Sequence, residues 1–291
     1  MTRDIKDTQM SVCAPERGNS QWTCFTLEEL ELLIKAWNKT TMGKRTPIDT
    51  DKMRRTVTDK ETYKKQLWIA LRNVFYPFCK DNEACWLDSV DLGKQLKHVS
   101  PTAFKILNYF TLKPKGTKEK YGWLSTTEID YVMQQHTVVH PDFTYIGCFP
   151  SDYYKLSPNK FPLEKLEKYD KAAIVFNLDS SHQPGSHWVA VYFEREPFTR
   201  KLHVEYFDPT GKKPNKNLSK FLLHPYFIAA DVNISKKRHQ RGDTECGIYS
   251  IYYILERVKG RTMKDINETR ISDEEMNKFR QVLFRPYSET F

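Results

Sequence analysis

The run Trp188-Val-Ala-Val-Tyr-Phe193 is apolar at every position. Successive side chains on a strand point to opposite faces, so Val189, Val191 and Phe193 would share one face and Trp188, Ala190 and Tyr192 the other. Neither face can be left in water, which predicts a central strand covered on both sides. Residues 172–176, 202–207 and 227–234 are also rich in β-branched and aromatic side chains and read as further strands. Pro197-Phe-Thr-Arg200 is a short polar connection, so strands 187–193 and 202–207 are expected to be hairpin neighbours. Antiparallel pairing would then carry His187, which opens one strand, and Asp208, which closes the other, to the same edge of the sheet.

A second constraint comes from residues 246–258. Ile251, Ile254, Leu255 and Val258 recur at i, i+3, i+4 and i+7, and Gly260 supplies a stop, which predicts an amphipathic helix. That pattern begins directly behind Cys246, in His239-Gln-Arg-Gly-Asp-Thr-Glu-Cys246-Gly247. A thiol at a helix N-terminus feels the partial positive charge of unpaired N–H groups, which favours the thiolate. With an imidazolium nearby such a cysteine can titrate at roughly 3.5–7.5. If this helix packs on the sheet, Cys246 faces His187. Gly247 is expected to let the chain turn tightly behind it.

Helices dominate the earlier part of the chain. Thr26 and Glu29 form a capping box ahead of Leu30, Leu33, Ile34 and Trp37, giving a helix over about 26–38. A second is expected from Thr58, with Glu61 in the matching box position, until Pro77 interferes. Ser100-Pro101 opens a third, running to about Phe110. The polar, turn-prone stretch Lys113-Pro-Lys-Gly-Thr-Lys-Glu-Lys120 is the natural boundary, which divides the chain into a helical module over 1–115 and a strand-rich domain over 116–291. Beyond it, Ser125 and Glu128 cap another helix, preceded by Trp123-Leu124. The expected class is α+β, with a mixed, largely antiparallel central sheet flanked by helices.

Length and composition agree with this. The chain has 291 residues, 39% hydrophobic and 29% charged, as in ordinary globular proteins. It contains no apolar run near the ~20 residues that span a bilayer, and the N-terminus has no apolar leader, so neither a membrane partner nor a secretory route is expected. Six cysteines without a CxxC pair imply neither bridges nor a metal in a reducing compartment. Zinc at Cys13, Cys24, Cys79 and Cys85 carries odds of roughly one in ten, and ordinary buried thiols are the reading adopted, with no cofactor. The net charge of +9 gathers at Lys212-Lys213 and Lys236-Lys237-Arg238, a pattern open to DNA contact, although a solvated basic face is favoured about two to one.

Taken singly, each of these residues has a dull explanation: a free cysteine is usually an inert hydrophobe, and a strand histidine a core or surface residue. His182 sits in a Ser/Gln/Pro/Gly loop, and His239 reads as a basic loop residue. Together, however, the order His187, Asp208, Cys246 is that of a nucleophilic triad. The segments around 187–190, 205–207, 238–247 and 271–284 resemble, in order, the ubiquitin-like-protein proteases, the cysteine protease group of SUMO-specific, adenovirus and asfarvirus enzymes, with the asfarvirus polyprotein-processing type the nearest match. The resemblance covers about residues 121–286. It implies a SUMO-protease-like core, with Cys246 as nucleophile, His187 as base and Asp208 as the group orienting the imidazole, where asfarvirus-type relatives carry Asn. Gln240, six residues before Cys246, stands at the family's oxyanion-hole position. Trp123 and Trp188 are implied to bind substrate, although a core tryptophan is the commoner fate of such a residue.

The resemblance further implies cleavage after Gly-Gly in a protein substrate, maturation of viral structural polyproteins, and a place in host cytoplasm and virion. Removal of SUMO- or ubiquitin-like modifiers is the alternative, and acetyl transfer a more distant one.

Overall fold

The computed structural model describes residues 12–17, 22–40, 46–156 and 163–285. The chain forms two compact units, Met1–Gly116 together with Val282–Phe291, and Thr117–Gln281.

The first unit is helical: α1 (Leu27–Thr40), α2 (Thr50–Arg55), α3 (Lys60–Cys79), α4 (Glu83–Asp88), α5 (Val90–Val99) and α6 (Pro101–Ile106), the last running into a wide turn over Leu107–Thr111. The predicted box at Thr26 forms in both directions, Thr26 N donating to Glu29 and Glu29 N to Thr26 Oγ1. In α3 the cap is Asp59, which accepts from Thr62 N, rather than Thr58. The helix also continues through Pro77 to Cys79, since in the final turn the missing N–H forfeits a single bond. Around α1, α3 and α4 the buried Leu30, Leu33, Trp37, Leu71, Phe75 and Trp86 make the core. Glu83 is enclosed with them and accepts from Cys24 N, Thr23 Oγ1 and Trp68 Nε1; burial pushes its carboxyl up to about 7. The expectation of free thiols is overturned here, because Cys13 bonds to Cys24 and Cys79 to Cys85. Neither spacing announces a bridge, since Cys13 and Cys24 meet from segments outside the helices and Cys79 ends one helix while Cys85 lies in the next. The chain end returns to this unit, with Arg285 N donating to Pro114 O and Gly116 N to Arg285 O.

The second unit is built on a five-stranded sheet, β1 (Phe143–Pro150), β2 (Lys171–Asn177), β3 (Trp188–Arg195), β4 (Leu202–Phe207) and β5 (Asp231–Ile234), in that spatial order. Pairings β2–β3 and β3–β4 are antiparallel, but β1–β2 and β4–β5 are parallel. The sheet is therefore mixed rather than largely antiparallel. Sequence patterning missed β1 because its register shifts between Tyr145 and Gly147, where a glycine at φ 142 breaks the alternation. The strand expected over 227–234 starts only at Asp231. Pro225 and the His224 cap on Tyr226 N wind the preceding residues into a 3₁₀ turn, which sends Phe227 into the core.

As the unbroken apolar run requires, every residue from Trp188 to Phe193 is buried. One face of the sheet packs Val189, Val191 and Tyr206 against Leu218 and Phe221 of α10 (Lys216–Leu222), preceded by α7 (Thr126–Val139), α8 (Tyr153–Leu156) and α9 (Leu163–Lys168). The other carries α11 (Cys246–Val258), followed by α12 (Met263–Glu268) and α13 (Asp273–Leu283). Phe207 stacks on Tyr253 of α11 at 4.2 Å. Buried Ile248, Ile251, Ile254 and Leu255 each contribute up to about 1.5–3 kcal/mol.

Apolar contact alone would let α11 slide or rotate. Its far end is pinned by Arg257, which donates from Nε to Glu205 of β4 at 2.6 Å and from a terminal nitrogen to Glu194 of β3 at 2.5 Å. Tyr253 Oη donates to the same Glu205 carboxylate at 2.6 Å. Removing one partner of so buried a network strands the others without water. Arg257→Ala is expected to lower stability by about 3–5 kcal/mol in chemical denaturation, and Arg257→Met/Glu205→Leu to recover most of that loss because no lone buried charge remains.

Candidate active site

The edge predicted from the hairpin is formed. Ala190 pairs with Phe207, so His187 and Asp208 lie diagonally across the open end of the β3–β4 ladder. His187 is fixed by its carbonyl, which accepts from Leu178 N at 2.9 Å and so carries the β2–β3 ladder past the strand proper. Its Nε2 meets Asp208 Oδ1 at 2.8 Å. Asp208 is fully buried, and the same oxygen accepts from Thr210 N and Oγ1, both at 2.7 Å, in a side-chain turn that holds the carboxylate still. Gly211 follows at φ 73, and a Cβ there would stand 2.8 Å from Lys236 O. The loops 208–213 and 236–240 therefore touch, and His239 N and Gln240 N both donate to Pro209 O.

Cys246 is the first residue of α11, close enough to the His187 ring to influence its protonation. With Nε2 occupied by Asp208, Nδ1 is the ring nitrogen left for another partner. The cysteine is 1% exposed, but its sulfur lies against the imidazole rather than among hydrocarbon alone. Burial works against a charged His187. The hydrogen bonds to Asp208 and Cys246, reinforced by their charges, outweigh it and push the imidazole up to about 9.

Gln240 is buried on the loop anchored at Pro209, and one Nε2 hydrogen goes to Gly242 O at 2.9 Å, leaving the second for another acceptor. Asp273 at the start of α13 clamps the next residues, accepting from Arg241 N, Gly242 N and Tyr249 Oη. His239 is not a basic loop residue. It is fully buried between Asn267 Oδ1 and Ile271 N, and burial holds it below the usual imidazole range. His182 stays exposed on its loop.

Beside the triad lies a cleft of about 520 Å³ lined by Trp123, Leu124, Asn177, Asp179, Gln183 and Trp188, among others. Trp123 is 46% exposed, so the common core fate does not apply to it. Trp188 is buried and donates from Nε1 to Leu124 O at 2.8 Å, which ties the 123–124 wall to β3. Gly247 makes no left-handed turn, contrary to expectation. It is helical, and a Cβ there would stand 3.1 Å from Leu124 Cβ and 3.3 Å from Trp188 Cδ1, so its role is to admit those two side chains close to α11. Asp273 and Thr210 escaped the sequence reading as clamps, since nothing in an isolated Asp or Thr signals one.

No protein-family model matches the chain. A putative thiol protease of Acanthamoeba polyphaga mimivirus is 28% identical over 305 residues, covering 97% of this chain and 96% of the relative. A protein of African swine fever virus, called a cysteine protease in one isolate and a SUMO-1 cysteine protease in another, is 29% identical over 222 residues, covering 67% of this chain and 76% of the relative. The crystal structure of the African swine fever virus protease superposes with a TM-score of 0.64 over 96% of this chain and 97% of that one, at 22% identity, which fixes the shared fold. The chain is a cysteine protease. More narrowly, it is a relative of these viral thiol proteases, similar to the mimivirus protein over nearly its full length.

A histidine raised from about 6.5 to about 9 contributes stability that is complete below pH 6.5 and is lost as pH rises through 9. NMR titration is expected to place the His187 midpoint near 9, and Asp208→Ala to bring it back toward 6.5, since the carboxylate that favours the charged ring is then gone.

Proposed function

We propose that the protein is an endopeptidase that cleaves after Gly-Gly and matures viral structural polyproteins, working in host cytoplasm and virion. Cys246 attacks the scissile carbonyl, His187 holds the thiol proton and gives it to the leaving amine, and water then hydrolyses the thioester with His187 as base. Asp208 orients the imidazole through Nε2. The free Gln240 N–H and the Cys246 backbone N–H would receive the oxyanion. The observation that carries this reading is one ring engaged on both sides, by Asp208 and by Cys246, at the head of a helix beside an aromatic-walled cleft. Trp123 and Trp188 would form walls that favour residues without side chains.

Cys246→Ala and His187→Ala are expected to abolish cleavage, whereas Asp208→Asn retains measurable kcat/KM, because an amide oxygen can still accept from His187 and Thr210; equal total loss in all three refutes the orienting role. Gln240→Ala should lower kcat by ~10² to 10³ with little change in KM. A Gly-Gly-X peptide library profiled with wild type and Cys246→Ala tests the specificity, and cuts scattered over unrelated sequences would overturn it.

The name carried by the swine fever virus relative in one isolate favours a second substrate class, SUMO-like modifiers. A modifier aldehyde that fails to trap Cys246 would set this aside. The contact between loops 208–213 and 236–240 also gathers Lys212, Lys213, Lys236, Lys237 and Arg238 beside the site, which favours a DNA contact. Its signature would be retention on DNA that weakens steeply with salt.

A further inference from the structure

We infer that Arg280 is a positioning residue of the active site, a buried cation that joins the cleft wall to the nucleophile loop and supports the thiolate of Cys246. This rests on the reading of Cys246 as nucleophile.

Arg280 lies on α13 and is 5% exposed. A guanidinium in that position ordinarily demands a carboxylate within reach, because moving its charge out of water costs several kcal/mol. Among the described residues it has none in ion-pair contact. One terminal nitrogen donates to Gly122 O at 2.8 Å and the other lies 3.4 Å from Thr244 O, while Nε is buried with no hydrogen-bond partner.

The two acceptors identify the role. Gly122 immediately precedes Trp123 and Leu124 in the cleft wall, and Thr244 stands two residues before Cys246. The planar fork of one arginine thus sets the width between the wall and the loop that delivers sulfur, a task the single-point ammonium of lysine does not reproduce. Glu245 and Glu128 supply the negative charges facing the guanidinium, and Cys246 and Tyr121 add to them only when ionised. Glu245 is already engaged by Thr244 and Asn277, and Glu128 by Ser125 N. Cys246 in turn faces His187, which is held by Asp208. When sulfur is anionic it therefore has two cationic neighbours, one exchanging protons and one permanent. The permanent one costs least when the thiolate is present, so its burial favours the charged form of the nucleophile.

The test is the pH dependence of iodoacetamide alkylation of Cys246 in the full chain, alongside kcat and KM on a cleaved peptide. Arg280→Met, with near-UV circular dichroism matching wild type, is expected to move the alkylation midpoint up by about one pH unit, a tenfold slower reaction below it, and to raise KM. Arg280→Lys is expected to keep the wild-type midpoint while KM still rises several-fold. A folded Met variant with unchanged midpoint and KM overturns the inference, as does a Lys variant indistinguishable from Met in midpoint. Should the Met variant not fold, the Lys variant decides: raised KM at an unchanged midpoint supports the role, and an unchanged KM sinks it. Wild-type Cys246 alkylating like glutathione, or activity surviving Cys246→Ala, would instead strike at the nucleophile assignment itself.

Discussion

The geometry of the site depends on how one helix is seated on one sheet. Helix α11 brings sulfur to the open end of the β3–β4 ladder, and a misplacement of about 1 Å is enough to spoil such chemistry. Its apolar face supplies adhesion without direction. Direction comes from Arg257 at the opposite end, gripping Glu194 and Glu205 on the same two strands that deliver His187 and Asp208. The ion network and the reactive pair are thus two ends of a single strut.

Much of this was legible beforehand because the relevant signals were local. The all-apolar run at 188–193 required a covered central strand, the hairpin required His187 and Asp208 to converge, and the i, i+3, i+4 pattern placed Cys246 at a helix start. Two of the three expected capping boxes, at Thr26 and Ser125, formed as written, and the one at Thr58 gave way to an Asp59 cap. These features depend on periods of two and 3.6 and on residue types with few conformational options.

What escaped depends on contacts between distant segments. The Cys79–Cys85 bridge depends on where one helix ends and the next begins, and Cys13–Cys24 on how two non-helical segments meet. Strand β1 hides behind a bulge, and its parallel pairing to β2 cannot be guessed from a hairpin. Gly247 looked like a turn and proved to be a point of close packing. His239 looked solvated because its neighbours are basic, yet Asn267 and Ile271 enclose it. Arg280 and Asp273 act on main-chain groups, which every residue possesses and no side-chain pattern announces.

The two cystines of the helical unit coexist in one chain with an ionisable thiol whose value lies in staying reduced. Oxidants do not discriminate by purpose, only by charge and access. With 1% of its surface reachable, Cys246 meets peroxides and foreign disulfides more slowly than an exposed thiol would. Seclusion thereby slows adventitious oxidation without forbidding reaction, which lets a free thiol and two cystines share one polypeptide.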